Sequence, residues 1–261
     1  MYTSNCEKNR QVCFKKSKNE GADNFMFKKL LALALSAIMV LGIGTTAFAS
    51  DVPNVDFNLS VSEVAGIRTS VTSDETSQYI VVYDSIQNTM QVSIKDLETG
   101  SIVEGETIEA KALQSSQSAR STIHQDTFSN YEYDVYTGSP NEWRLERPKG
   151  SGQGYFMTYE NSSNTTQLNS FFDKVNILND KEWTAVSLYG VSLISAVGAG
   201  FASALALASG GTLTPAAIAA VVAATGATGA TAIAMTAIGT QCNVCELAYW
   251  NALNSTNNTH Y

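Results

Sequence analysis

The chain has 261 residues, with 16 Lys and Arg against 24 Asp and Glu and a net charge of -8. No Lys/Arg face is available to displace counterions from phosphates, so a nucleic-acid partner is excluded from the reading. Hydrophobic residues make up 44% of the chain, and they are concentrated in two places, a basic-flanked run near the start and a charge-free run near the end.

Residues 1–25 are polar and Lys-rich, and they read as an upstream extension, with Met26 as the expected start. Met26-Phe27-Lys28-Lys29, then Leu30 to Leu41, then Ala47-Phe48-Ala49 form the basic, apolar and small-x-small parts of a secretory signal peptide over 26–49, cleaved between Ala49 and Ser50. A retained membrane anchor is the competing reading, disfavoured by the short apolar run and the Ala-x-Ala end. From Ser50 onward there are nine basic and 21 acidic residues. The expected mature chain is therefore acidic, secreted and repelled by anionic lipid until a local feature overrides that repulsion.

Residues 50–113 read as β-rich. Gln78–Asp84 and Thr89–Lys95 are dense in β-branched and aromatic residues, and Ser85-Ile86-Gln87-Asn88 between them suits a hairpin. Asp96 to Gly100 supplies turn chemistry, and Ser101–Glu104 with Thr107–Glu109 continues the meander. Such a sheet, apolar on one side and acidic on the other, requires a second layer. Residues 114–122 are a polar, aperiodic linker with a single Arg120, where a protease could release 50–113 as a pro-region.

Residues 123–179 form an aromatic-rich β unit with a lead-in helix. Tyr131–Tyr136 and Trp143–Arg147 alternate aromatic and charged positions, Tyr155–Tyr159 adds a strand, and Leu168, Phe171, Phe172, Val175 and Leu178 recur at helical spacing. The 63 residues from Trp183 to Cys245 then carry no charge. Thr214-Pro215, after Gly210-Gly211, is a helix start, so 180–241 is expected to be a hairpin of two apolar helices, the first from Asp180 to about Ser209 and the second from Pro215 to about Gly239. Each is long enough for a bilayer, with Trp183 and Trp250 at the outer ends where aromatic belts form. Gly190 lies within the first helix. Gly198, Ala202, Ala206 and Gly210 on the first, and Ala219, Ala223, Gly226, Ala230 and Ala234 on the second, are small residues at spacings that allow close packing in lipid. The same spacing arises in any Ala-rich helix, and the alternative is a buried core hairpin. Hydroxyls such as Ser187, Ser195, Ser203 and Thr225 either line a channel or bond their own backbone carbonyls.

Cys242-Asn243-Val244-Cys245, at the head of the 242–261 tail, is read as a local disulfide that ends the second helix. Only His124 and His260 could join those cysteines on zinc, so no metal is expected, and a redox motif should follow a strand. His124 with Asp126 lacks a nucleophile elbow, and no catalytic residues or cofactors are assigned.

Together, the signal peptide, the His124–Tyr131 segment, the Trp143–Pro148 stretch and the Gly/Ala-rich C-terminal hairpin resemble the large secreted bacteriocins of Gram-positive bacilli, of the geobacillin type. The resemblance implies antibacterial action at the envelope of related bacteria. The expected fold is α+β, a β-rich N-terminal and central region followed by a C-terminal apolar α-helical hairpin. The expected function is non-enzymatic permeabilisation of a target-cell membrane, with a homo-oligomer and an immunity protein as further candidate partners. The competing expectation is an envelope or surface protein anchored by the same two helices.

Overall fold

The computed structural model describes residues 58–110, 123–148, 154–208, 211–256 and the backbone of 259–260. The signal segment with its Ala49–Ser50 junction, the 114–122 linker, Gly210 and the side chain of His260 lie outside the described residues.

Two antiparallel sheets, built mostly from residues ahead of the helices, give the expected α+β layout. The first is a meander of β1 (Ser60–Val64), β2 (Ile67–Ser73), β3 (Ser77–Asp84), β4 (Thr89–Asp96) and β5 (Ile102–Glu104), with β6 (Ile108–Glu109) also pairing β4. Its turns follow from local chemistry. Ala65 and Gly66 both have positive φ, as a two-residue primed turn requires. Asp74 accepts hydrogen bonds from the Thr76 and Ser77 amides at 3.0 and 2.8 Å. The second sheet runs in the order β11–β10–β9–β8–β7, from β7 (Ile123–Asp126), β8 (Glu132–Tyr136), β9 (Glu142–Glu146), β10 (Tyr155–Tyr159) and the C-terminal β11 (Thr259–His260).

Among the described residues four helices stand where a lead-in helix and a two-helix hairpin were expected: α1 (Thr165–Tyr189), α2 (Val191–Leu207), α3 (Pro215–Ala224) and α4 (Gly229–Ser255). The apolar stripe of Leu168, Phe171, Val175 and Leu178 continues through Glu182 and Ala185, so the lead-in helix runs past Asp180 instead of stopping there. Gly190, at φ 92° and ψ 152°, ends α1 and opens α2, breaking the first expected helix. The second is broken between Ala224 and Gly229. Its start is as read: Thr214 Oγ1 accepts from the Ala217 amide at 3.1 Å, with Pro215 in the first turn. Among the described residues no helix is long and apolar enough to cross a membrane.

The helices fill the space between the sheets. α2 lies on β4, and α3 lies on β2 and β3. α1 packs along α4, and this pair meets the second sheet through aromatic contacts: Phe172 against Tyr133 at 4.8 Å, and Tyr249 against Phe156 at 5.2 Å between ring centroids. One buried cluster runs from Val81, Met90 and Val92 through Phe201 and Val221 to Leu168, Phe171 and Phe156. On the first sheet's other face Val71, Ile80 and Val82 are buried too, so the expected solvated acidic side is not found across its middle.

Close approach depends on glycine at two points of α2. A methyl at Gly198 would overlap the Phe128 carbonyl, and one at Gly200 would overlap the Met90 sulfur and a Val221 methyl. Gly198→Ala is expected to cost about 1–3 kcal/mol in chemical denaturation, the range for overpacking a filled interior. Ala206→Ser, at a partly exposed position of the same helix, should stay within about 0.5 kcal/mol of the parent.

Candidate functional site: the seat of the uncharged helices

The charge-free run is bounded by Glu182 and Glu246, and both carboxylates are buried. Glu182 belongs to the inward stripe of α1. Its carboxylate accepts hydrogen bonds from the Phe128 amide at 2.7 Å, the Ser129 amide at 3.0 Å and the Ser129 hydroxyl at 2.6 Å. The turn between β7 and β8 is thus gripped by Glu182 from α1 and by the glycine surface of α2. Burial pushes the Glu182 carboxyl up to about 7, even though the three donors from Ser129 and Phe128 pull the other way.

Glu246 of α4 accepts from Tyr131 at 3.0 Å, from Arg147 at 2.9 Å and from the indole of Trp250 at 2.8 Å. The Arg147 guanidinium also lies over the Tyr249 and Trp250 rings, 5.6 and 4.8 Å from their centroids. Burial raises the Glu246 carboxyl, opposed by the Arg147 charge and the Tyr131 hydroxyl. Burial also pushes the Tyr131 phenol far up, with the Glu246 charge adding to it, so this phenol stays a donor. Both carboxyl groups therefore fasten the α1/α4 pair to the second sheet through buried hydrogen bonds, and at Glu246 the Arg147 charge strengthens them.

The first sheet holds α2 and α3 differently. The Ser70 hydroxyl donates to the Ala220 carbonyl, the Ser203 hydroxyl accepts from the Val92 amide at 3.2 Å, and the Arg68 guanidinium fills the space over Gly226. Among the described residues no ion pair joins this sheet to the helices: Arg68 pairs with Glu63 of its own sheet. Apolar contact carries the rest.

The residues expected to enter a membrane are distributed accordingly. Gly198, Ala202 and Ala223 are buried, Ala206, Ala219 and Ala234 are partly buried, and Gly190, Pro215, Gly226 and Ala230 are exposed at breaks or ends. Trp183 is half-exposed with its ring edge against Phe128, and Trp250 sits at the rim of the Glu246 network. Ser187 and Thr225 bond carbonyls of their own helices, whereas Ser203 bridges to β4.

No family model matches the chain, and no curated protein or solved structure matches it either.

Cys242 and Cys245 require a correction. Both are free thiols, buried one turn apart inside α4, so they neither form the expected disulfide nor end the helix. The Cys245 thiol donates to the Lys174 carbonyl at 3.3 Å. Burial raises both thiols, which leaves them protonated and unreactive. Sequence reasoning also missed Glu182, Glu246, Arg147 and Tyr131 as anchors of the helices. The available signal was that Glu182 falls four residues after Leu178 on an otherwise apolar stripe.

Two outcomes follow. The Glu182 carboxyl is higher in the folded chain than the ordinary 4.5, so its contribution to stability is fully present below about pH 4.5 and is lost as pH rises through about 7. Stability should fall by roughly 3 kcal/mol across that window on this account, with Glu246 adding a slope of the same sign, and Glu182→Gln should remove the first part in urea titrations at stepped pH. An unchanged slope in that variant would assign the titration to another group. Iodoacetamide labelling read by peptide mass spectrometry should spare Cys242 and Cys245 in native protein and modify both in denaturant; protection that persists in denaturant would indicate a disulfide.

Proposed function

We propose that this chain is a secreted antibacterial protein whose uncharged helices, α2 and α3 above all, are carried between two sheets and enter the membrane of a target cell. The observation behind the reading is the unequal seating of those helices. A segment with no charge over 63 residues is tied to the second sheet by buried carboxylates, but to the first sheet only by apolar contact and a few hydroxyl bonds. The first sheet is therefore the part that can separate without exposing an uncompensated buried charge.

Entry into lipid requires a change of helix length. The 17 residues of α2 span about 26 Å, short of roughly 30 Å of hydrocarbon. Backbone groups at Gly190 and at 225–228 would have to join the helical hydrogen-bond pattern in lipid, and no proline at either break prevents it. The expected helices, Asp180 to about Ser209 and Pro215 to about Gly239, thus describe the inserted form, and the four helices broken at Gly190 and 225–228 describe the carried form. The envelope-anchor alternative has less support, because here the apolar helices are already covered by the chain's own sheets.

A crosslink tests the reading. Val92 and Ser203 meet at the first sheet's contact with α2, with the Val92 amide 3.2 Å from the Ser203 hydroxyl, so a Val92→Cys/Ser203→Cys pair should lock that contact when oxidised. Wild-type protein is expected to release dye from vesicles of bacterial lipid, the oxidised variant to release at least tenfold less, and the reduced variant to recover. Absence of leakage by wild type at any pH from 5 to 8 would overturn the proposal, as would equal leakage by the oxidised form.

A further inference from the structure

On the outward face of the second sheet, β7, β8 and β9 place a histidine, four carboxylates (Asp126, Glu132, Asp134 and Glu146) and one arginine at neighbouring positions. The register sets His124 opposite Asp134 and Asp134 opposite Arg144, while Glu132 and Glu146 are paired one rung along. His124 Nδ1 lies 3.0 Å from Asp134 Oδ1 and 4.0 Å from Glu132 Oε1. One donor atom from each of these three residues falls within 4.8 Å of the others. First-row divalent ions hold their ligands at about 2.0–2.2 Å, which places neighbouring ligand atoms about 3–4 Å apart, and the two distances from His124 Nδ1 fall in that range.

Two further observations point to a cation. Glu132, Asp134 and Glu146 share the single guanidinium of Arg144, so negative charge is in excess on a partly buried surface. The His124 side chain is also only 9% exposed, and its Nε2 is buried without a hydrogen-bond partner. Its Nδ1 is the nitrogen turned to the two carboxylates.

We propose that His124, Glu132 and Asp134 form a binding site for a divalent transition-metal ion, with zinc or manganese as the class that suits one imidazole and two carboxylates. The ion takes the Nδ1 lone pair, the ring keeping its one proton on Nε2. Arg144 Nη1, now 2.8 Å from Glu132 Oε1 and 3.3 Å from Asp134 Oδ2, is displaced toward Glu146, which it already contacts. Asp134 has Oδ1 turned to the imidazole and Oδ2 to the arginine, so it can serve the ion without moving far. An ion here fastens the edge strand β7 onto β8. The site does not depend on membrane activity.

Calorimetric and thermal-melt titrations of the full chain with Zn2+ and Mn2+ test it, together with Co2+ absorption and the imidazole nitrogen resonances of wild-type protein. Expected are saturable binding, a rise in melting temperature, a shift of the His124 Nδ1 resonance to a metal-bound position, and a cobalt spectrum without a thiolate band. His124→Ala and Glu132→Gln should each weaken binding by roughly tenfold or more, and Arg144→Gln, which removes the competing cation, should tighten it. No binding up to millimolar metal would overturn the site. So would binding that leaves the His124 resonance unmoved, or a thiolate band assigning the ion to Cys242 and Cys245. The resonance test uses unmutated protein, so it stands even where a variant fails to fold.

Discussion

A run of 63 residues without charge cannot supply its own solvated face, and this constraint organises the molecule. An ordinary surface helix has a polar side to turn outward. α2 has almost none: twelve of its 17 residues are buried, so cover is needed in several directions at once. Two antiparallel sheets, one before and one around the helical segment in sequence, provide it. Alanine and glycine bury little apolar area each, so cohesion in such a filling depends on closeness more than on side-chain bulk. The contacts of Gly198 with Phe128 and of Gly200 with Met90 are the structural expression of that.

The polar groups admitted to this interior are few and consistently placed. Glu182 and Glu246 carry the only carboxylates at the borders of the uncharged run, and each meets donors that a backbone turn or an aromatic cluster fixes in position. A buried carboxylate without such partners would be strongly destabilising. With them it specifies which turn or strand a helix must meet. Ser129, Phe128, Tyr131 and Arg147 all come from the second sheet or its loops, so that sheet and the α1/α4 pair form the more specifically joined part of the fold.

Much of the architecture was legible in the residues because strand and turn chemistry are local. Gln78–Asp84, Thr89–Lys95 and Tyr155–Tyr159 are strands within a residue of where alternation puts them, and Thr214-Pro215 starts a helix as its capping chemistry requires. The breaks at Gly190 and 225–228 were not legible, since in an Ala-rich background a glycine that ends a helix looks like one that merely permits close packing. The free thiols were misread for a related reason: Cys-x-x-Cys spacing is equally a helical turn, and only the neighbours of α4 distinguish the two. The His124 cluster was hidden because pairing across strands, not spacing along the chain, brings Glu132 and Asp134 to the imidazole. Charge alternation on β8 gave the face but not the partner.

The chain leaves β10 at Tyr159, enters α1 at Thr165, and after α4 returns as β11 to pair with that same β10. Everything from α1 to α4 is therefore a closed circuit moored at both ends to one strand. No helix in it has a loose terminus to thread through a barrier. Whatever departs from this interior must swing out as a bight, its two limbs travelling together while the mooring strand stays behind.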